Sequence, residues 1–497
     1  MLEKIKTEMD ILENEEVSNN QYKVVFGSIL KLASIYDYYY SSFGAWTNNP
    51  FYCKEEIDEI QDHLDFVEVL DEEDYFDQAE RGYLEAGRYL AVASKSCKHP
   101  SMCRQAFSLS GWLPLYYLFK RKEGASKGLY FMNTLNKERF QRMNQWTQTA
   151  LMKSIGKITA PKVELEEKIY VKMSLKDELS YKNNLRSSKI PRMCRFDLDL
   201  PFEVKMKHYD SEEYLKIRVT SSQDWGTVNW KKGKLNSQTA DPIVIPVAII
   251  YIHGGGFIGG STGSYRNVLR KLAVMTGCPI FSFDYRLAPQ YKYPTGISDC
   301  WLSYLWIRHY SEKYLGVKFE RCILIGDSAG GNISLSLSLV AIQKNCIKPD
   351  GLMLCYPNVC SNRNEFFPSS LLSIDEPYLN AMFIDFCCTS YLDDEDRSTE
   401  YICSPIYAPR KLLKEMPPIR FGIPAIDPLR DAGIEMARKC IKSGVDVKGK
   451  IYKNLFHGYL EMDGFPFYMK DAENAFNDTV EYLLELIGEE KAIVESA

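Results

Sequence analysis

The chain predicts an α/β protein: a mostly parallel sheet with flanking helices, preceded by a mainly helical N-terminal region. Three observations carry this. From about Pro191 to the end, short apolar runs alternate with helical patterns, as parallel strands and their crossover helices do. One of those runs, 246–252, is continuously apolar, which suits a strand buried on both faces. Before residue 185 the texture differs, with apolar residues recurring at helical spacing over 22–38 and 83–94.

At 497 residues two domains are expected: a helical N-terminal domain over 1–185 and an α/β domain over 186–497. In the first, the acid-rich stretch 56–77 reads as a solvated helix face. The apolar run 112–119, Trp112 to Phe119, suits burial in the helical domain better than a lipid surface. In the second, 196–200 and 214–219 alternate apolar and polar residues, as half-buried edge strands do. Strands follow at 246–252, 322–325, 419–426 and 445–453, and helices at 265–275 and from Asn332 onward. Residues 358–416 form a long excursion after Tyr356-Pro357, of the kind that serves as a cap beside a site.

Composition excludes several classes. A net charge of −5 argues against a nucleic-acid partner. The 14 cysteines show no paired metal spacing, neither at Cys355 and Cys360 nor at Cys387-Cys388, so no metal site is expected. The start, Met1-Leu2-Glu3-Lys4-Ile5, lacks an apolar signal region, and the longest apolar run, 243–252, is far short of a transmembrane span. A cytoplasmic protein with reduced thiols is the simplest expectation.

The chemistry begins at Gly326-Asp327-Ser328-Ala329-Gly330-Gly331, between an apolar strand and a helix. This is the G-x-S-x-G elbow. A serine hydroxyl is a weak nucleophile until it is held exposed beside a base, and a tight strand-to-helix turn provides that exposure. Backbone then meets backbone on both sides, which calls for glycine at 326 and 330. The amide of Ala329, at the helix N-terminus, is placed to hold a developing oxyanion.

A second motif, His253-Gly254-Gly255-Gly256-Phe257, follows the buried strand 246–252. Consecutive glycines let a loop curl with its amides inward, and Gly255 and Gly256 are the expected oxyanion donors rather than Gly254. The same stretch fits G-x-G-x-x-G through Gly259, with Asp284 ending the next strand, the layout of a dinucleotide fingerprint. Asp284 lies 25 residues past Gly259, a loose match, and that reading leaves His253 and the serine elbow unexplained.

The base and acid follow from chain order, which runs Ser, Asp or Glu, His in this arrangement. Of the six histidines only His457 lies after Ser328. Between them, 419–426 reads as a strand ending at Asp427-Pro428, which makes Asp427 the acid; Asp431, four residues on and inside the next helix, is the weaker candidate.

Taken together, these blocks resemble the hormone-sensitive lipase family of α/β-hydrolases. The resemblance rests on His253-Gly254-Gly255-Gly256-Phe257, Asp284-Tyr285-Arg286-Leu287-Ala288-Pro289, Gly326-Asp327-Ser328-Ala329-Gly330-Gly331, Asp427-Pro428-Leu429-Arg430-Asp431 and Phe456-His457-Gly458. It implies an α/β-hydrolase fold with Ser328 as nucleophile, Asp427 as acid and His457 as base. Two departures are Gln290, where many members carry an acid, and the apolar Ala425 and Ile426 before the acid. The stretch from Phe131 to Asn136, followed by Trp146 and Leu151-Met152-Lys153, resembles the region preceding the catalytic domain in the eukaryotic branch. Only 98 residues separate Ser328 from Asp427, so the long regulatory insert of animal members is missing or reduced.

The expected function is hydrolysis of acylglycerol, steryl or other apolar acyl esters, without a cofactor. The expected partner is an apolar ester or lipid substrate, with room for peripheral contact at a lipid droplet or membrane surface. Two alternatives stand beside it. One is a small-ester or arylacetamide deacetylase-like hydrolase. The other is a non-catalytic receptor on the same scaffold, a type that has lost the histidine present here as His457.

Overall fold

The computed structural model describes residues 161–172, 214–229 and 242–488, apart from 366, 368, 371–377, 380 and 463–468, together with two-residue strands at 64–65, 204–205 and 234–235. The expected helices at 22–38 and 83–94, the run 112–119 and the alternating stretch 196–200 lie outside the described residues.

The strands are β1 (Leu64–Asp65), β2 (Leu165–Lys172), β3 (Val204–Lys205), β4 (Tyr214–Ser221), β5 (Val228–Asn229), β6 (Lys234–Leu235), β7 (Ile243–Ile252), β8 (Ile280–Asp284), β9 (Val317–Asp327), β10 (Gly351–Cys355), β11 (Ile419–Ile426) and β12 (Val447–Phe456). The helices are α1 (Arg266–Thr276), α2 (Thr295–Leu315), α3 (Ala329–Gln343), α4 (Ala381–Tyr391), α5 (Arg410–Leu413), α6 (Arg430–Lys442) and α7 (Lys470–Ile487). Among the described residues, ten strands form one sheet in the order β1-β12-β11-β10-β9-β7-β8-β4-β2-β3, and β5 pairs with β6 separately. Every pairing from β1 to β8 in that order is parallel, and those of β4, β2 and β3 are antiparallel.

Strand alternation divides the core into two layers. On β7, Ala248, Ile250 and Ile252 face one layer while Val247, Ile249 and Tyr251 face the other. Helices α2, α3 and α6 cover the first; α1 and α7 cover the second. Each fully buried Ile or Leu in these layers contributes roughly 1.5–3 kcal/mol. The pattern Ser334-Leu335-Ser336-Leu337-Ser338-Leu339 has the period of a strand, yet it lies in α3, wholly buried. It is tolerated because the three serine hydroxyls donate to the carbonyls of Gly330, Asn332 and Ser334, each one turn back.

Three expectations change. β2 lies before residue 185, in the segment expected to be helical, and pairs along its whole length with β4. β1 falls inside the stretch 56–77, expected as a helix face, and pairs with β12. β4, expected as a half-buried edge strand, is interior and almost entirely buried. Its Arg218 is buried with partners, donating to Glu166 on β2 (2.9 Å) and to Thr262 (3.1 Å). Glu166 also takes Arg266 and Arg270 of α1, which fastens the antiparallel edge to that helix. Burial alone would raise the Glu166 pKa, but its bonds to Arg266 and Arg270 and the Arg218 charge lower it.

Candidate active site

The residues singled out from sequence come together at the C-terminal ends of neighbouring parallel strands, where open α/β sheets bind ligands. Ser328 follows β9, the glycine loop follows β7, Asp427 follows β11 and His457 follows β12.

Ser328 sits at φ 52° and ψ −118°, a conformation a serine adopts only when its surroundings impose it. Its amide donates to the Cys355 carbonyl (2.9 Å), and its carbonyl accepts from Asn358 (2.9 Å) and Asn332 (3.2 Å). The flanking glycines are required by contact. A Cβ on Gly330 would run into the Ile252 carbonyl, and one on Gly326 into the Gly330 carbonyl.

The serine hydroxyl lies 2.9 Å from His457 Nε2, and His457 Nδ1 lies 2.9 Å from Asp427 Oδ2. With Nδ1–H donated to the carboxylate, Nε2 is the acceptor for the hydroxyl. The other Asp427 oxygen accepts from the Leu429 amide (2.8 Å), so the carboxylate cannot swing away. The three residues are 8%, 3% and 0% exposed in the order Ser328, His457, Asp427, so a reactant must enter an almost closed site. Asp431 is not part of this chain. It accepts from Arg430 (2.8 Å) and from the Ser369 amide (2.7 Å) on the far side of the turn.

In the glycine loop, Gly255 and Gly256 hold φ of 111° and 59°. The Gly255 carbonyl accepts from the amides of Ile258 (3.1 Å) and Gly259 (2.9 Å), which closes the turn. The Gly254 amide donates to Asp327 Oδ1 (2.8 Å) and is thereby engaged. Ala329 is the first residue of α3, and the first amides of a helix have no partner within it. Helix α1 begins only at Arg266, so the glycines do not open a helix as a dinucleotide fingerprint requires. Asp284 is also committed, accepting from the Thr262 amide (2.6 Å) and Lys168 (3.2 Å). Burial would raise its pKa, but the Lys168 charge and the Thr262 amide hold it at about 2.

Sequence reasoning passed over four residues. Asp327 accepts from Tyr251 (2.8 Å) and Tyr265 (2.9 Å) as well as from Gly254. Its pKa is raised to about 6 by burial, against the pull of those bonds. Glu461, half-buried just beyond His457, is pushed up to about 8, first by burial of its carboxyl and then by the Asp327 charge; its bond to Tyr378 works the other way. The signal available was weak: two carboxylates sit within four residues of proposed site residues, but nothing local marks them as buried.

Residues 249–461 match a family model described as alpha/beta hydrolase fold. Over 147 residues the chain is 37% identical to hormone-sensitive lipase of Mus musculus, a stretch that covers 30% of this chain and 19% of that protein. Over 217 residues it is 33% identical to carboxylesterase NlhH of Mycobacterium tuberculosis, covering 44% of this chain and 67% of that protein. Among solved structures it is similar to an esterase of Pyrobaculum calidifontis (TM-score 0.54, 20% identity, 71% of this chain and 94% of that one). It is also similar to an esterase of Rhizomucor miehei (TM-score 0.53, 22% identity, 72% and 92%). At those identities the structural likeness establishes the fold alone. Among the described residues no helix is long and apolar enough to cross a membrane.

Proposed function

The chain belongs to the α/β-hydrolase family, on its hormone-sensitive-lipase-like branch, and on that premise we propose that it is a serine-dependent carboxylic ester hydrolase. The observation that carries this is the hydrogen-bonded chain from Asp427 through His457 to Ser328. As Ser328 Oγ attacks the ester carbonyl carbon, its proton passes to His457 Nε2. Asp427 keeps the other ring nitrogen protonated and stabilises the imidazolium. The negative oxygen is held by the amides of Gly255, Gly256 and Ala329. His457 then gives its proton to the departing alcohol oxygen, which leaves the acyl group on Ser328. Water attacks that acyl-enzyme while one of its protons goes to His457, and His457 returns the proton to Ser328 Oγ as the bond to the acyl carbon breaks and the acid leaves.

The preferred substrates are apolar acyl esters, of the acylglycerol or steryl kind. The near-closure of the serine and the aromatic neighbours of the site, Phe257 and Tyr356, support an apolar acyl pocket. Each methylene buried there is worth about 0.8 kcal/mol, so chain length is selected until the pocket is full. The test is a panel of p-nitrophenyl esters from acetate to palmitate, with an acylglycerol and a cholesteryl ester. Rates rise from acetate to medium chains and then level or fall; a maximum at acetate points instead to a small-ester hydrolase. Flotation with lipid droplets tests the accompanying surface contact.

A further inference from the structure

We propose that α4, in the excursion after β10, is a working part of the oxyanion loop, with Tyr391 and Cys387 as positioning residues; this rests on the ester-hydrolase reading of the site. Three successive loop residues, Gly255, Gly256 and Phe257, hold φ of 111°, 59° and 63°. Glycine takes such angles freely, but a phenylalanine takes them only where its surroundings impose them. The Phe257 ring lies flat on Tyr391, with centroids 3.8 Å apart and planes within 7°. One turn earlier on α4, the Cys387 thiol occupies the space a Cβ on Gly256 would need. Helix α4 therefore presses on two consecutive residues of the loop, next to the amides assigned to the oxyanion.

The helix is itself anchored. The Tyr391 carbonyl accepts from the Tyr293 amide (2.8 Å), and the Leu392 carbonyl from Lys292 (3.3 Å). The Tyr293 ring meets Tyr391 edge-on at 5.6 Å, and its hydroxyl donates to Glu400 (2.8 Å), which Arg397 pairs at 2.9 Å. The Phe257 carbonyl accepts from Ala288 (2.9 Å), on the same segment that carries Tyr293. The buried Tyr391 hydroxyl has no hydrogen-bond partner among the described residues, so the contact uses the ring alone.

An excursion that only walled the acyl pocket would change which ester binds. One that holds the oxyanion loop changes the rate for every ester alike, because all share the same donors. Wild type, Tyr391→Phe, Tyr391→Leu and Cys387→Leu are titrated with a p-nitrophenyl phosphonate that labels the serine, so that rates are per live site. Tyr391→Phe keeps kcat within about twofold, while Tyr391→Leu loses roughly 10- to 100-fold in kcat on acetate and octanoate esters alike, with little change in KM. Affinity for an alkyl boronate, which adds to the serine and places an oxygen at the donors, weakens by the same factor. Cys387→Leu, which crowds Gly256, shifts both readouts in the same direction and carries the test if Tyr391→Leu does not fold. If the variants lose only titratable sites and thermal stability, keeping kcat per site and boronate affinity, the inference is overturned and the esterase reading stands. A change in KM confined to one chain length overturns it as well. No turnover of any ester by wild type overturns the esterase reading and this inference with it.

Discussion

Asp327 accepts a 2.8 Å hydrogen bond from the amide of Gly254, so the residue before the elbow serine holds the first glycine of the loop after β7. The contact joins the ends of β9 and β7, neighbours in the sheet. It also explains why position 254 is glycine: a Cβ there would collide with the Asp327 carboxylate. The loop and the elbow serine are thus set by one carboxylate, and the amides beyond Gly254 are left for other work.

Replacing Ser328 by Ala removes the hydroxyl that His457 meets at 2.9 Å. Ester hydrolysis falls about 10⁴-fold or more, since only oxyanion and binding contributions remain. Thermal unfolding stays close to wild type, because the cost of the elbow lies in its backbone. Retention of a tenth of the wild-type rate would remove Ser328 from the nucleophile role.

The two aspartates of the turn separate by what they touch. Asp427→Asn leaves His457 without its carboxylate and lowers kcat on the order of 10³–10⁴-fold, with little loss of stability. Asp431→Asn removes the buried 2.8 Å ion pair to Arg430 and weakens the acceptor of the Ser369 amide, and destabilises by about 1–3 kcal/mol while turnover per titrated site is kept. Urea unfolding and active-site titration of both variants distinguish the two, and a reversed order would exchange their roles.

The parts of the site that were legible in sequence are the local ones. Strand β11 spans the residues read as a strand, Ile419–Ile426, because an apolar run ending in Asp-Pro is a signal contained within ten residues. His457 lies immediately past β12, though the strand runs from Val447 to Phe456 and not from 445 to 453, since the polar Asn454 hid its continuation. The partners of Asp327 were not legible: Tyr251 and Tyr265 stand 76 and 62 positions away, and their hydroxyls are hidden in apolar surroundings. The same holds for β4, whose Arg218 reads as a solvent-facing residue until Glu166 and Thr262 are brought to it. Pairings set by tertiary structure leave no periodicity behind.

Two glycines near the ends of elements respond to alanine differently. At Gly277, which ends α1 at φ 67°, a Cβ meets nothing within 4 Å, so Gly277→Ala costs only its left-handed backbone, about 1–2 kcal/mol. At Gly330 the Cβ meets the Ile252 carbonyl, which is backbone in a central strand and cannot yield. Gly330→Ala costs roughly 3 kcal/mol or more and lowers activity by displacing β7 from the elbow. Thermal denaturation of the pair, side by side, checks the order; equal shifts would mean that the close approach at the elbow is relaxed in solution.

The Asp327 carboxylate makes stability depend on pH in a definable window. Unfolded, it ionises near its ordinary 3.8; folded, burial raises it to about 6 despite the hydroxyls of Tyr251 and Tyr265 and the Gly254 amide. Below about pH 4 it is protonated in both states and burial costs it no charge. As pH rises the unfolded chain gives up its proton first, so this stabilising contribution is lost up to about pH 6 and then stays level. The span from 3.8 to about 6, at about 1.4 kcal/mol per pH unit, is worth roughly 3 kcal/mol. Asp327→Asn cannot ionise, so its stability relative to wild type improves by up to that amount between pH 4 and 6, even as the amide fits the three donors less well. Glu461 responds in the same variant: with the neighbouring charge gone, its pKa drops below the present value of about 8. Urea unfolding of both proteins at half-unit steps from pH 4.5 to 7.5 gives the difference directly. Parallel curves would mean that Asp327 is ionised throughout, held by its three donors more firmly than burial resists.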